Sequence, residues 1–168
     1  MPIEQMSGIM ERLLDRAALA LSLAGFEVSK KFIYTGRPPH DLCNQLSVHL
    51  DNANQTQTNP LGGLSGNRAV NRFAQLPAAD LVVTWTACSP SFTAGSHEPS
   101  AEQYHEASKR AVDGIWAVYR RFSDEIRDNT LFTGMDFVPN NNRLGLVEPI
   151  GVSGGVAAYT LGVTLILA

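Results

Sequence analysis

Several groups of residues in this chain have side chains able to do chemistry, and each is judged by its spacing. Gly151-Val152-Ser153-Gly154-Gly155 has the letters of a nucleophile elbow, in which a strand turns sharply into a helix and lifts a serine hydroxyl toward a substrate. Here Val156 to Leu167 reads as a second strand, so a glycine-rich hairpin turn is expected instead. Glu102 and His105 have the spacing of carboxylate-bridged metal sites on helical bundles. Such sites need a second copy of the motif and further glutamates on facing helices; the sequence has neither, and both residues are expected on a helix surface. His40, Cys43 and Cys88 are three soft ligands that meet if their strands are neighbours, but no paired CxxC or HxxxH spacing accompanies them and no metal is expected. There is no Walker A loop and no GxGxxG. Asn54-Gln55-Thr56 matches a glycosylation acceptor, which matters only in a secreted protein. The expectation is therefore no cofactor, no catalytic set and no enzymatic activity. Two basic pairs remain, Lys109-Arg110 and Arg120-Arg121, with two open readings: a solvated helix face or subunit contacts across a ring.

The elements that position these residues are read from periodicity. Ser100 with Gln103 fits a capping box, and a helix is expected from there to about Asn129. Tyr104, Ala107, Ala111, Ile115, Val118, Phe122 and Ile126 recur at spacings of three and four and form one apolar stripe. At 1.5 Å per residue this helix is roughly 40 Å long, so it must lie across a sheet or reach a neighbouring subunit. A bend is expected at Asp113-Gly114, where glycine costs about 1 kcal/mol of helix propensity. Residues 3–24 read as a first amphipathic helix closed by Gly25.

Three strands are expected between the helices. Phe26 to Tyr34 has an edge-like mixture of aromatic and lysine residues, and Leu42 to Leu50 alternates as a half-buried strand with Leu46, Val48 and Leu50 on one face. Asp80 to Cys88 alternates in the same way. Asp51 to Ala79 breaks all periodicity and reads as a loop of about 25 residues, a length that is usually functional or disordered. Two further strands, Arg143 to Ile150 and Val156 to Leu167, end the chain. The fold class expected is α+β: a mostly antiparallel sheet of four to five strands, two helices on one face, and a long loop between the second and third strands. Leu46, Val48, Leu81, Val83, Trp85, Ile115, Val118, Phe122, Tyr159, Leu161 and Val163 are expected to form one core.

Composition narrows the functional classes. The 168 residues suit one domain, with 44% hydrophobic and 17% charged residues and a formal net charge of −3. The absence of a basic block disfavours tight, nonspecific nucleic-acid binding. The low charged fraction suggests surface covered by partners. The N-terminus lacks the basic-then-apolar order of a signal peptide, and no apolar run reaches the ~20 residues of a membrane span. A cytosolic protein is expected, with Cys43 and Cys88 as buried free thiols.

Several segments together resemble a known family. The strand DLCNQLSVHL, the strand LVVTWTACSPSF leading into EPSAEQYHEASKRAVDG, and the terminal VEPIGVSGGVAAYTLGVTLILA resemble the tail terminator, or tail completion, proteins of long-tailed bacteriophages. The matching positions are Cys43, Gln45, Leu46 and Val48; Cys88 and Pro90; Pro99, Ser100, Ala101 and Asp113; and Pro149, Gly154 and Gly155. The resemblance implies a structural virion protein, assembled in the host cytoplasm. Its copies would form a hexameric ring that caps the tail tube and joins it to the head-tail connector or stopper, while DNA passes through the lumen without specific binding; the net charge of −3, and the need for DNA to slide without sticking, add the expectation of a mildly acidic or neutral lumen. Another neck protein, adaptor or stopper, is the nearest alternative; a small hydrolase using Ser153, or a metal enzyme using His40 and the cysteines, is the alternative from another class. On the ring reading, Leu61, Leu64, Arg68, Arg72, Phe73, Arg120 and Arg121 are the expected subunit-interface residues, the first five in a loop that orders on assembly.

Overall fold

The computed structural model describes residues 3–34, 43–56, 76–90, 98–135, 140–153 and 155–166. They form two helices and five strands: α1 (Ile3–Leu23), β1 (Lys30–Tyr34), β2 (Gln45–Thr56), β3 (Leu76–Cys88), α2 (Ala101–Arg127), β4 (Asn140–Ser153) and β5 (Val156–Ile166). The strands make one mixed sheet in the order β1-β2-β3-β5-β4. Only β1 runs parallel to its neighbour; β2, β3, β5 and β4 pair antiparallel. This is the α+β class expected, with both helices on one face.

The periodicity of each element explains that arrangement. In β2 and β3 the register sets Leu46 against Trp85, Val48 against Val83 and Leu50 against Leu81, so their side chains share one face. β5 continues that face with Tyr159, Leu161 and Val163. The α2 stripe of Ala107, Ala111, Ile115, Val118 and Phe122 is buried, as are Ile9, Leu13, Ala17 and Leu21 of α1. All eleven expected core residues lie in or against this single cluster, Tyr159 being only partly buried. Phe26, in the turn after α1, sets its ring edge-on to Trp85 at 6.2 Å.

The capping box of α2 is formed in full: Gln103 N–H donates to Ser100 Oγ at 3.2 Å, and Ser100 N–H donates to Gln103 Oε1 at 2.9 Å. The helix runs unbroken through Gly114. The reason for glycine is lateral: a Cβ there would sit 2.9 Å from Trp85 Cδ1 and closer still to Nε1. Trp85 is 1% exposed, so its indole occupies the space a side chain would need, and the propensity cost is offset by that contact.

Two expectations about strands need correction. The loop expected over 51–79 is partly sheet, because Asn52 to Thr56 pair with Asp80 to Leu76 after a register shift at Leu50/Asn52. Ladder bonds use only backbone groups, so a polar, asparagine-rich stretch can form them without an apolar pattern. The stretch between the second and third strands is thereby 57–75, which lies outside the described residues. Second, β2 is not half-buried: Gln45, Ser47 and His49, on the face away from the helices, are 1%, 0% and 6% exposed. Polarity of side chain did not report solvent exposure here.

Candidate functional site

The β2–β3 ladder brings the two cysteine motifs together. Cys43 stands two residues before the Gln45↔Thr86 pair and Cys88 two residues after it, with Cα atoms 4.6 Å apart and a disulfide between them. The expectation of buried free thiols is therefore wrong: no described cysteine is free, and Cys88 lies exposed at the end of its strand. Compartment alone carries no information on strand pairing, and it is the pairing of β2 with β3 that brings these residues together. The pair also leaves no metal trio; His40 lies outside the described residues, and among the described residues no group of three or more His, Cys, Asp or Glu is placed to hold a metal ion.

Beside this pair, the Gly-rich segment takes the form of a hairpin. Ser153 pairs with Val156 across the turn, and Gly155 has φ +84°, a conformation that favours glycine. A strand follows Ser153, which removes the strand-turn-helix geometry an elbow nucleophile requires. Ser89 N–H donates to Gly155 O at 2.7 Å and fixes this turn against the end of β3. Glu102 and His105 are both exposed on α2.

At the junction of the helices, Glu125 of α2 is buried and accepts from two arginines. Its Oε1 is 2.6 Å from Arg121 Nε and 3.4 Å from Arg16 of α1. Arg16 thus ties α1 to the C-terminal half of α2, Arg121 holds the same carboxylate from within α2, and Arg12 of α1 donates to Thr133 O at 2.9 Å. Arg121, expected at a subunit interface, has this intramolecular partner and is only partly exposed. At the end of α2 a hydrogen bond to Asp128, then the charges of Asp128 and Asp124, raise the Arg127 pKa above its ordinary value.

Arg120 is different. It is exposed, and its Nε donates at 3.4 Å to the backbone carbonyl of Trp116, one turn earlier. Trp116 is 43% exposed and its ring meets Tyr119 edge-on at 5.0 Å. Trp116 and Arg120 lie exposed side by side, with Tyr119 packed between Trp116 and the core, and Trp, Tyr and Arg are the residue types that dominate protein interfaces. Sequence reading chose Arg120 for its charge and passed over both aromatics. The available signal was that Trp116 falls outside the apolar stripe, among Lys109, Asp113 and Arg120 on the polar side.

The sheet edges add to this outer surface. β4 leaves Leu146 at 77% and Ile150 at 44% exposure, and it carries three register shifts and Pro149 along its open side. Bulges and proline are features that discourage edge-to-edge strand pairing, so side chains rather than backbone are what this edge offers. β1, the other edge, is five residues long and begins with two lysines. Leu61, Leu64, Arg68, Arg72 and Phe73, the remaining expected interface residues, lie outside the described residues.

No helix among the described residues is long and apolar enough to cross a membrane. No protein-family model matches the chain, and none of the curated proteins matches it.

Proposed function

We propose that the chain is a structural subunit of the neck of a long-tailed bacteriophage. On this reading it is a tail terminator: a hexameric ring caps the tail tube and meets the head-tail connector or stopper, with DNA passing through the lumen unbound. The observation that carries the reading is the convergence of the segments that resemble the family. Cys43, Gln45, Leu46 and Val48 run beside the strand that ends in Cys88; the terminal strand pairs with that same strand; and Pro99-Ser100-Ala101 starts the helix that covers it. Segments far apart in the sequence are thus one patch of fold, as motifs kept for a shared architecture would be.

Surface chemistry supports the same reading. Trp116 and Arg120 face outward on α2, and Leu146 and Ile150 on β4, which suits a subunit whose sides meet other copies. The loop with Leu61, Leu64, Arg68, Arg72 and Phe73 would meet an adjacent subunit or ring. The protein then works in the virion and is assembled in the host cytoplasm, with no catalytic role.

Native mass measurement of the purified protein tests the proposal. A six-copy species is expected, and imaging of particles should locate it between tail tube and connector. A ring found on the head side of that joint would make it an adaptor or stopper. Bound zinc, or an esterase activity lost on Ser153→Ala, would overturn the structural role.

A further inference from the structure

We infer that the Cys43–Cys88 bond is a reversible redox site, which opens and closes in the folded protein by exchange with small thiols and disulfides of the glutathione type. This inference concerns the chain itself and does not rest on the ring.

The first support is register. The β2–β3 ladder brings the two residues near one another: Cys88 ends β3 two residues after Thr86, and Cys43 stands in the turn that enters β2, two residues before Gln45, with Asn44 between them at φ +53°. Their Cα atoms are 4.6 Å apart, within the span usual for a disulfide. The first ladder pair beyond them is pinned by a side chain: Gln45 N–H donates to the Thr86 hydroxyl at 3.0 Å, and that hydroxyl donates to Gln45 O at 3.2 Å. The strands therefore hold the sulfurs in reach whether or not they are joined, and neither opening nor closing requires the sheet to move.

The second support is access. Cys88 is exposed and Cys43 partly exposed, so a thiolate in solution reaches the Cys88 sulfur without unfolding, the condition under which disulfides exchange readily. In the opening step a glutathione thiolate attacks Cys88 Sγ, the protein S–S bond breaks, and Cys43 leaves as a thiolate that takes a proton from water. A second glutathione thiolate attacks the glutathione sulfur of the mixed disulfide. Cys88 leaves as a thiolate and glutathione disulfide is released. Two electrons pass to the protein; closing is the same sequence reversed, with glutathione disulfide as oxidant. The chain has two cysteines, so no third thiol can divert the exchange within a subunit.

The third support is position. Ser29 N–H donates to Asn44 O at 2.8 Å and Ser89 N–H to Gly155 O at 2.7 Å, so the pair sits where the ends of β1, β2, β3 and β5 gather. Closing the bond links residues 45 apart in sequence, which restricts the unfolded chain more than it alters the folded one. A protein reduced in the cytoplasm would become harder to unfold once outside it.

The test uses the full chain, folded, in buffers that range from reduced glutathione alone to mostly glutathione disulfide. After acid quenching, alkylation and intact-mass measurement, the number of alkylated cysteines should pass from two to none with the ratio, reversibly and without denaturant. Oxidised protein should melt roughly 5–15 °C above reduced protein. Cys43→Ser/Cys88→Ser should melt with the reduced form; if that variant does not fold, the mass result still decides. Two alkylated cysteines at every ratio, a lasting glutathione adduct, or a bond that opens only in denaturant would each overturn the inference.

Discussion

On the helix side of the sheet, Leu46, Val48, Leu81, Val83, Trp85 and Leu161 are buried against α1 and α2. On the far side, Gln45, Ser47, His49, Thr84 and Thr86 are nearly as inaccessible. The first face is held by removal of apolar area from water, a term that is non-directional and sums over many contacts. The second is polar, so its energy depends on whether each buried group finds a partner. Thr86 does, through Gln45 backbone N–H and C=O; the hydroxyls of Ser47 and Thr84, cross-strand neighbours on that face, have none among the described residues. One sheet thus has a face that resists substitution by volume and a face that responds to hydrogen bonding.

The largest expected effect breaks the apolar face. Phe122→Ala and Trp85→Ala should each destabilise by about 3–5 kcal/mol in denaturant unfolding, the usual cost of emptying a large aromatic site. A loss below about 1 kcal/mol would mean that the α2 stripe does not carry the core. Gly114→Ala comes next and has an informative sign. In an exposed helix this change stabilises by about 1 kcal/mol, but here the new methyl meets the Trp85 indole, and a net loss of about 1–3 kcal/mol is expected. The double variant Gly114→Ala/Trp85→Phe should recover part of that loss relative to the sum of the single changes, because the two residues share one contact.

The polar face is sharpened by a matched pair. Thr86→Val removes a hydroxyl bonded to the neighbouring strand and should cost about 1 kcal/mol. Thr84→Val removes a hydroxyl with no partner among the described residues, keeps the shape, and should be neutral or stabilising by up to about 1 kcal/mol. Equal costs at the two positions would show that both hydroxyls are bonded in solution and that the contrast drawn between them is wrong.

The two faces also differ in how much of each is legible in the sequence. The helix-side face was legible because its signals are local: alternation in Leu46, Val48 and Leu50, a three-four stripe ending in Phe122, and a capping box contained within four residues. The far face was not, since Gln45, Ser47 and His49 have the composition of solvent-facing positions and burial depends on what the rest of the chain lays over them. Asn52 to Thr56 were hidden for a related reason, as their pairing is made by backbone. At Gly114 the residue type suggested a break, whereas the cause was a side chain from a strand 29 positions earlier. Of the expected interface, only Arg120 and Arg121 fall among the described residues, and charge alone did not separate the one facing out from the one bound to Glu125. The parallel placement of β1 had no signal, because no crossover helix announces it.

The smallest expected effect lies at the border of the apolar face, where Lys31 of β1 reaches Asp15 of α1 at 2.7 Å. Both side chains are more than half exposed, so water screens their attraction and each loses rotamer freedom in holding the other. Lys31→Ala should therefore change stability by only about 0.5 kcal/mol or less, and the change should vanish in 1 M salt. Glu125→Gln provides the contrast within the same class of interaction. That carboxylate is buried and accepts from Arg121 and Arg16, so its loss should cost about 2 kcal/mol and persist in salt, which screens buried pairs far less than exposed ones. If Lys31→Ala proves as costly as Glu125→Gln, the β1 edge is held to α1 chiefly by charge. Phe32 and Ile33, partly buried beside it, would then contribute less than their area suggests. If the order is as expected, β1 is retained by those side chains and its ladder with β2, and the lysines serve to keep that edge from pairing with another strand.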